Sequence, residues 1–137
     1  MIRKASAIWK GTLKEGEGNL TTESGILNKT QYSYKTRFED GNGTNPEELV
    51  GAAHSGCFTM QLSAFLAEDD FPADQLETRS EITFEDGEIS KSHLILEGKV
   101  PGISEEKFKE IANKAKESCP LSKLLDTEIT LDAKLLS

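Results

Sequence analysis

The stretch NPEELVGAAHSGCFTMQLSAFLAED, residues 45–69, decides the fold of this chain. Asn45 can cap a helix, Pro46 suits the first helical position, and Glu47 and Glu48 complement the positive end of the helix dipole. The helix is predicted to run to about Asp69, because EDDFPADQ (68–75) is a polar stop containing Pro72. Val50, Ala53, Cys57, Met60 and Ala64 fall at helical spacing on one sector. Leu49, Phe58, Leu62, Phe65 and Leu66 cover the sector beside it. A helix apolar around most of its girth belongs at the centre of a fold. It also carries Cys57, one of only two cysteines, the other being Cys119.

Upstream, glycines at 16, 18 and 25 punctuate short candidate strands, ASAIWKG (5–11) and QYSYKTRF (31–38). EDGNGTN (39–45) is the loop before the helix. Downstream, the period switches to two in LETRSEITFEDGEISKSHLILEGKV (76–100), with Ile82 and Phe84 inward and Glu81, Thr83 and Glu85 outward. EDGE (85–88) is a hairpin turn, since Asp-Gly suits type I′. ISEEKFKEIANKAKES (103–118) reads as a second helix capped by Ser104. Its apolar line runs through Phe108, Ile111, Ala112 and Ala115 and reaches Cys119 next. TEITLDAKLL (127–136) alternates, with Ile129, Leu131, Ala133 and Leu135 on one side. Strands, helix, hairpin, helix, strand is an α+β order and lacks the repeating βα pattern of a doubly wound sheet.

At 137 residues the chain is expected to form one domain, residues 1–137. No run of about 18 apolar residues is present, so no membrane partner is expected. The start, MIRKASAIWKG, lacks the apolar segment of a signal peptide, which makes the cytoplasm the expected compartment. A formal charge of −8 argues against nucleic acid as a partner, because phosphate binding needs a basic face. GxGxxG, Walker A, GxSxG and HExxH patterns are absent.

The residues alone leave four roles open for the cysteines. Both can be inert core residues, since free cysteine is among the most buried types. His54 and Cys57, three apart, can share a metal sphere only if Cys119 and His93 complete it. A thioredoxin-like dithiol needs Cys-x-x-Cys, which is missing. The fourth role is a peroxidatic pair in which one thiolate attacks and the other resolves. A buried apolar setting raises a thiol's pKa, so that role requires a nearby cation.

TRFEDGNGTNPEELVGAAHSGCFTMQL (36–62) together with KAKESCPLSKLLDTEITLDAKL (114–135) resembles the OsmC/Ohr family of thiol-dependent hydroperoxide reductases. The resemblance extends from WKG (9–11) and TESGILN (22–28) to the final strand, and His54 in AAHSGC favours the OsmC branch. It implies an α+β fold in an intertwined homodimer. Long central helices pack against curved antiparallel sheets, and two active sites lie at the subunit interface. By position, Cys57 matches the peroxidatic cysteine, Cys119 the resolving one, and Arg37 and Glu47 the family's arginine and glutamate. The implied substrate is an organic hydroperoxide, with hydrogen peroxide weaker, in oxidative or osmotic stress defence. The implied second partner is a dithiol reductant, and no metal, haem or flavin cofactor is called for.

In this scheme Arg37 supplies the missing cation and Glu47 orients it through a bidentate pair. Phe38, Phe58, Met60 and Phe65 are candidates to line the site, with core packing the competing role for each. Glu47 and Cys57 are ten residues apart on one helix, about 15 Å of rise. A glutamate side chain does not span that, so if they serve one site either the two come from different subunits or the helix is broken between them; the first agrees with the interface site that the resemblance implies. Two other functions compete: a protein disulfide oxidoreductase, and a non-enzymatic stress protein that binds a small ligand.

Overall fold

Asn45 and Ser33 set the local structure of the first part of the chain. A computed structural model describes all of residues 1–137, which divide into two compact units, Met1–Leu49 and Val50–Ser137. In the first, strands β1 (Ala5–Lys10), β2 (Glu17–Thr22) and β3 (Thr30–Tyr32) form an antiparallel sheet in that order. β2 was not anticipated, because its glycine reads as punctuation. Gly18 is required inside the strand: a Cβ there would meet the Trp9 ring at 2.5 Å and the Tyr32 ring at 2.6 Å.

The stretch 31–38, expected to be all strand, splits after Tyr32 into β3 and the short helix α1 (Tyr34–Phe38). The reason is a capping box. Ser33 Oγ accepts from the Thr36 N–H (3.3 Å), and Thr36 Oγ1 accepts from the Ser33 N–H (2.8 Å). Arg37 is therefore helical and not a strand residue.

Helix α2 (Pro46–Glu68) is unbroken and starts as expected, with Asn45 Oδ1 accepting from the Glu48 N–H at 2.8 Å. One apolar sector is buried through Phe58, Leu62 and Leu66. The other is not: Ala53, Met60 and Ala64 are exposed, Met60 at 77%. The helix is thus buried on one side, where its apolar girth predicted burial on most of it.

In the second unit, β4 (Gln75–Glu85) and β5 (Glu88–Lys99) form the expected hairpin, with Asp86 (φ 52°) and Gly87 (φ 78°) both left-handed at the turn. β6 (Glu128–Leu135) adds to β5 in parallel, so this sheet is mixed where the family resemblance implies an antiparallel one. The parallel step is possible because α3 (Glu105–Ser118) and α4 (Pro120–Leu124) supply the crossover. Ser104 caps α3 as expected, accepting from the Lys107 N–H.

Phe58, Leu62 and Leu66 pack with Leu94, Leu96 and Val100 of the sheet side and with Phe108, Ile111 and Ala115 of α3. Ile129, Leu131, Ala133 and Leu135 lie against this core, as their alternation predicts. No helix is long and apolar enough to cross a membrane.

Candidate active site

The candidate site residues fall into two constellations, one in each unit. In the first unit, Arg37 Nη2 donates to Glu47 Oε1 at 2.8 Å and Arg37 Nε donates to the same oxygen at 3.0 Å, with Oε2 at 3.3 Å. The local fold fixes both partners. Asn45 Nδ2 donates to the Thr36 carbonyl of α1 at 3.0 Å while its oxygen caps α2. Glu48, expected to act only on the helix dipole, also accepts from Thr44 Oγ1 at 2.7 Å. Arg37 stacks on Phe38, 5.3 Å from the ring centre. Both line an open cleft of about 440 Å³ with Trp9, Leu13, Tyr32 and Tyr34. Of the expected site-lining residues, Phe38 is thus beside Arg37, whereas Phe58 is wholly in the core.

In the second unit, α2 presents Cys57, half-buried, to Cys119, fully buried; both thiols are free. Cys119 ends α3 and begins α4, a five-residue helix that the periodicity did not reveal. Pro120, which suits a first helical turn, allows the chain to restart there. Cys57 packs against the buried cluster that contains Cys119, with the Leu121 backbone of α4 beside it. Burial pushes the Cys57 pKa above the ordinary thiol range. The Leu121 N–H pulls it down, and the neighbouring Cys119 pushes it up.

His54, considered above as a metal ligand, has both ring nitrogens engaged by hydroxyls. Nδ1 is 2.6 Å from Ser92 Oγ and Nε2 is 2.8 Å from Ser122 Oγ. His93, the other candidate, binds Thr130 and Asp132. The hydroxyl partners of His54 come from β5 and α4, and no sequence period relates them.

Burial also lowers the pKa of His54 below the ordinary value of 6.5. The unfolded chain therefore binds a proton there that the folded chain resists. Stability falls as pH drops through about 6.5, by at most about 1.4 kcal/mol per pH unit for this group. Urea midpoints at about pH 7.5 and pH 5.5, at fixed protein concentration, should differ more for the wild type than for His54→Gln. Equal differences would contradict this assignment.

A model of OsmC-like proteins matches residues 39–134 of the chain. The chain is 45% identical over 139 residues to the protein named peroxiredoxin OsmC of Escherichia coli, covering 98% of this chain and 97% of that one. The crystal structure of the organic hydroperoxide resistance protein OhrB of Bacillus subtilis superposes with a TM-score of 0.64. It is 24% identical and covers 96% of this chain and 97% of that one. An OsmC-like protein of Mycoplasma pneumoniae, 14% identical, gives 0.74 over 100% of this chain and 99% of that one. These two structures establish the shared fold.

Proposed function

Because this chain belongs to the OsmC family, and within it to the OsmC branch, we propose that it reduces organic hydroperoxides to alcohols through Cys57 and Cys119. One observation carries the assignment of residues: two free thiols, one half-buried and one fully buried, brought to the same part of the core. The Cys57 thiolate attacks the terminal peroxide oxygen. The O–O bond breaks, Cys57 becomes a sulfenic acid, and the alkoxide takes up the proton released when the thiol ionised and leaves as the alcohol. The Cys119 thiol attacks that sulfur; the S–S bond forms and water leaves. A dithiol reductant then restores both thiols by exchange.

Burial and Cys119 both hold Cys57 in its neutral form, so the attacking thiolate requires a cation. Arg37, held by Glu47, supplies it and hydrogen-bonds the incoming peroxide. The aromatic cleft beside Arg37 suits the organic group of the substrate. Ten residues of unbroken helix separate Glu47 from Cys57, so the Arg37–Glu47 pair of one subunit serves Cys57 of the other. The open stripe of Ala53, Met60 and Ala64 supports such a homodimer, with residues 1–137 acting as one functional domain. The net charge of −8 supports a function without nucleic acid, and the family suggests a role in oxidative or osmotic stress, in the cytoplasm and without a membrane partner.

The test is stopped-flow oxidation of the reduced protein by cumene hydroperoxide and, separately, by hydrogen peroxide, followed by thiol counting by intact mass. Fast loss of two thiols per chain, faster with the organic peroxide, is the expected result. Slow oxidation indifferent to the peroxide would return both cysteines to the core. Thiol exchange with proteins but no reaction with peroxide would point to a disulfide oxidoreductase.

A further inference from the structure

We propose that His54 is a positioning residue for the resolving step: it ties α4 to α2 and thereby holds Cys119 against Cys57. His54 is wholly buried one turn before Cys57 on α2. Its Nε2 meets Ser122 Oγ, and Ser122 lies three residues after Cys119. The hydrogen bond from His54 to Ser122 therefore joins the same two elements that bring Cys57 and Cys119 together, and with the same stride. On the other side, Nδ1 meets Ser92 Oγ, which is 3.0 Å from Ser80 Oγ, so the network is anchored on β5 and β4. A neutral imidazole offers one donor and one acceptor, and a hydroxyl can act as either, so the whole chain is satisfied.

Apart from this tie, α4 is held by its junction with α3 at Cys119 and by Leu121, which packs against the core. It is five residues long, none of them fully buried, and its first turn has no side-chain cap. A buried polar cluster is costly compared with an apolar filling, so its presence at this junction calls for a role. Holding two sulfurs in reacting geometry is such a role, because a displacement of about 1 Å can slow a reaction about a hundredfold.

This inference rests on the assignment of Cys57 as attacking and Cys119 as resolving thiol. In the step at issue, Cys57 S–OH and Cys119 S–H give the disulfide and one water, with no other reactant. His54 hydrogen-bonds to two hydroxyls and to neither sulfur, and the first oxidation is expected to proceed without it.

The experiment measures, in the full-length protein, the rate of the first oxidation by cumene hydroperoxide and the rate of disulfide closure. Ser122→Ala and His54→Leu should keep the first rate within about twofold and slow closure by at least about tenfold. More Cys57 sulfinic acid should appear under excess peroxide. His54→Gln, whose amide also pairs a donor with an acceptor, should recover part of the closure rate. The double variant should close no more slowly than the slower single one. Closure within twofold of wild type in both single variants overturns the proposal. Equal slowing of both steps overturns it too, since that is the signature of general loosening. Ser122→Ala keeps the test decisive should His54→Leu fail to fold.

A parallel series uses diamide, which takes two electrons and two protons from the thiol pair and closes the disulfide without peroxide. If the wild type closes with diamide but ignores cumene hydroperoxide, the peroxidase assignment falls. Slower diamide closure in the two variants would still uphold the positioning role, and equal closure would end it.

Discussion

Cys57→Ser should abolish hydroperoxide turnover, a loss of at least about a thousandfold in a dithiol-coupled assay. Serine nearly matches cysteine in size, and position 57 is only half-buried, so the helix and its core survive the change. What disappears is the reacting atom. A serine oxygen is not held as an anion by a neighbouring cation, and it forms no analogue of a sulfenic acid. Cys119→Ser should behave differently. The first peroxide is consumed at near the wild-type rate, and then the enzyme stalls, with Cys57 passing to sulfinic acid as peroxide accumulates. Because Cys119 is fully buried, its serine variant places a hydroxyl in the core and loses about 1–3 kcal/mol of stability. Cys119→Ala separates that cost from the chemistry, since it stalls in the same way. Intact mass after one and after ten equivalents of peroxide resolves the species. Undiminished multiple turnover in Cys57→Ser would sink the whole scheme.

Arg37→Ala and Cys57→Ser proteins, each nearly inactive alone, should regain activity when unfolded, mixed and refolded together. If each site combines Arg37 and Glu47 of one subunit with Cys57 of its partner, a mixed dimer contains one site with every group intact and one site lacking both. Random pairing makes half the dimers mixed, so about a quarter of wild-type activity returns. Separately refolded and then pooled samples provide the baseline. Recovery no greater than that baseline would count against a shared site. A shared site of this kind requires α2 to be continuous from Pro46 to Glu68, as it is, since a break would let Glu47 fold back toward its own Cys57. A helix of that length fixes the spacing of everything it carries.

Much of this was legible because local rules settle it. Asn45 and Ser104 cap where their side chains can, and Asp86-Gly87 turns where two left-handed residues are needed. The strands alternate because one face meets the core. Three features escaped for physical reasons. α1 and α4 are five residues each, shorter than the window in which a helical period can be recognised. Thus Arg37 read as a strand residue, and Cys119 as one more member of an apolar stripe. Gly18 read as a break, although its missing side chain is what admits Trp9 and Tyr32 over β2. The buried partners of His54 depend on strand register and on a crossover, both of which are tertiary facts. The proposed site was read chiefly from the likeness of SGCF and SCPLS to known reductases. Periodicity placed both cysteines on apolar faces and went no further.

The parallel pairing of β6 with β5 has a consequence for how the chain assembles. The β4–β5 hairpin closes through its own turn, whereas His93 and Thr130 meet across 37 residues of sequence. Closing the longer loop loses more chain entropy before any contact compensates, so the hairpin is expected to form early and β6 to dock late. Cys119 lies inside that intervening segment, while Cys57 lies far upstream of it. The crossover that positions Cys119 is thus expected to settle late, after the hairpin.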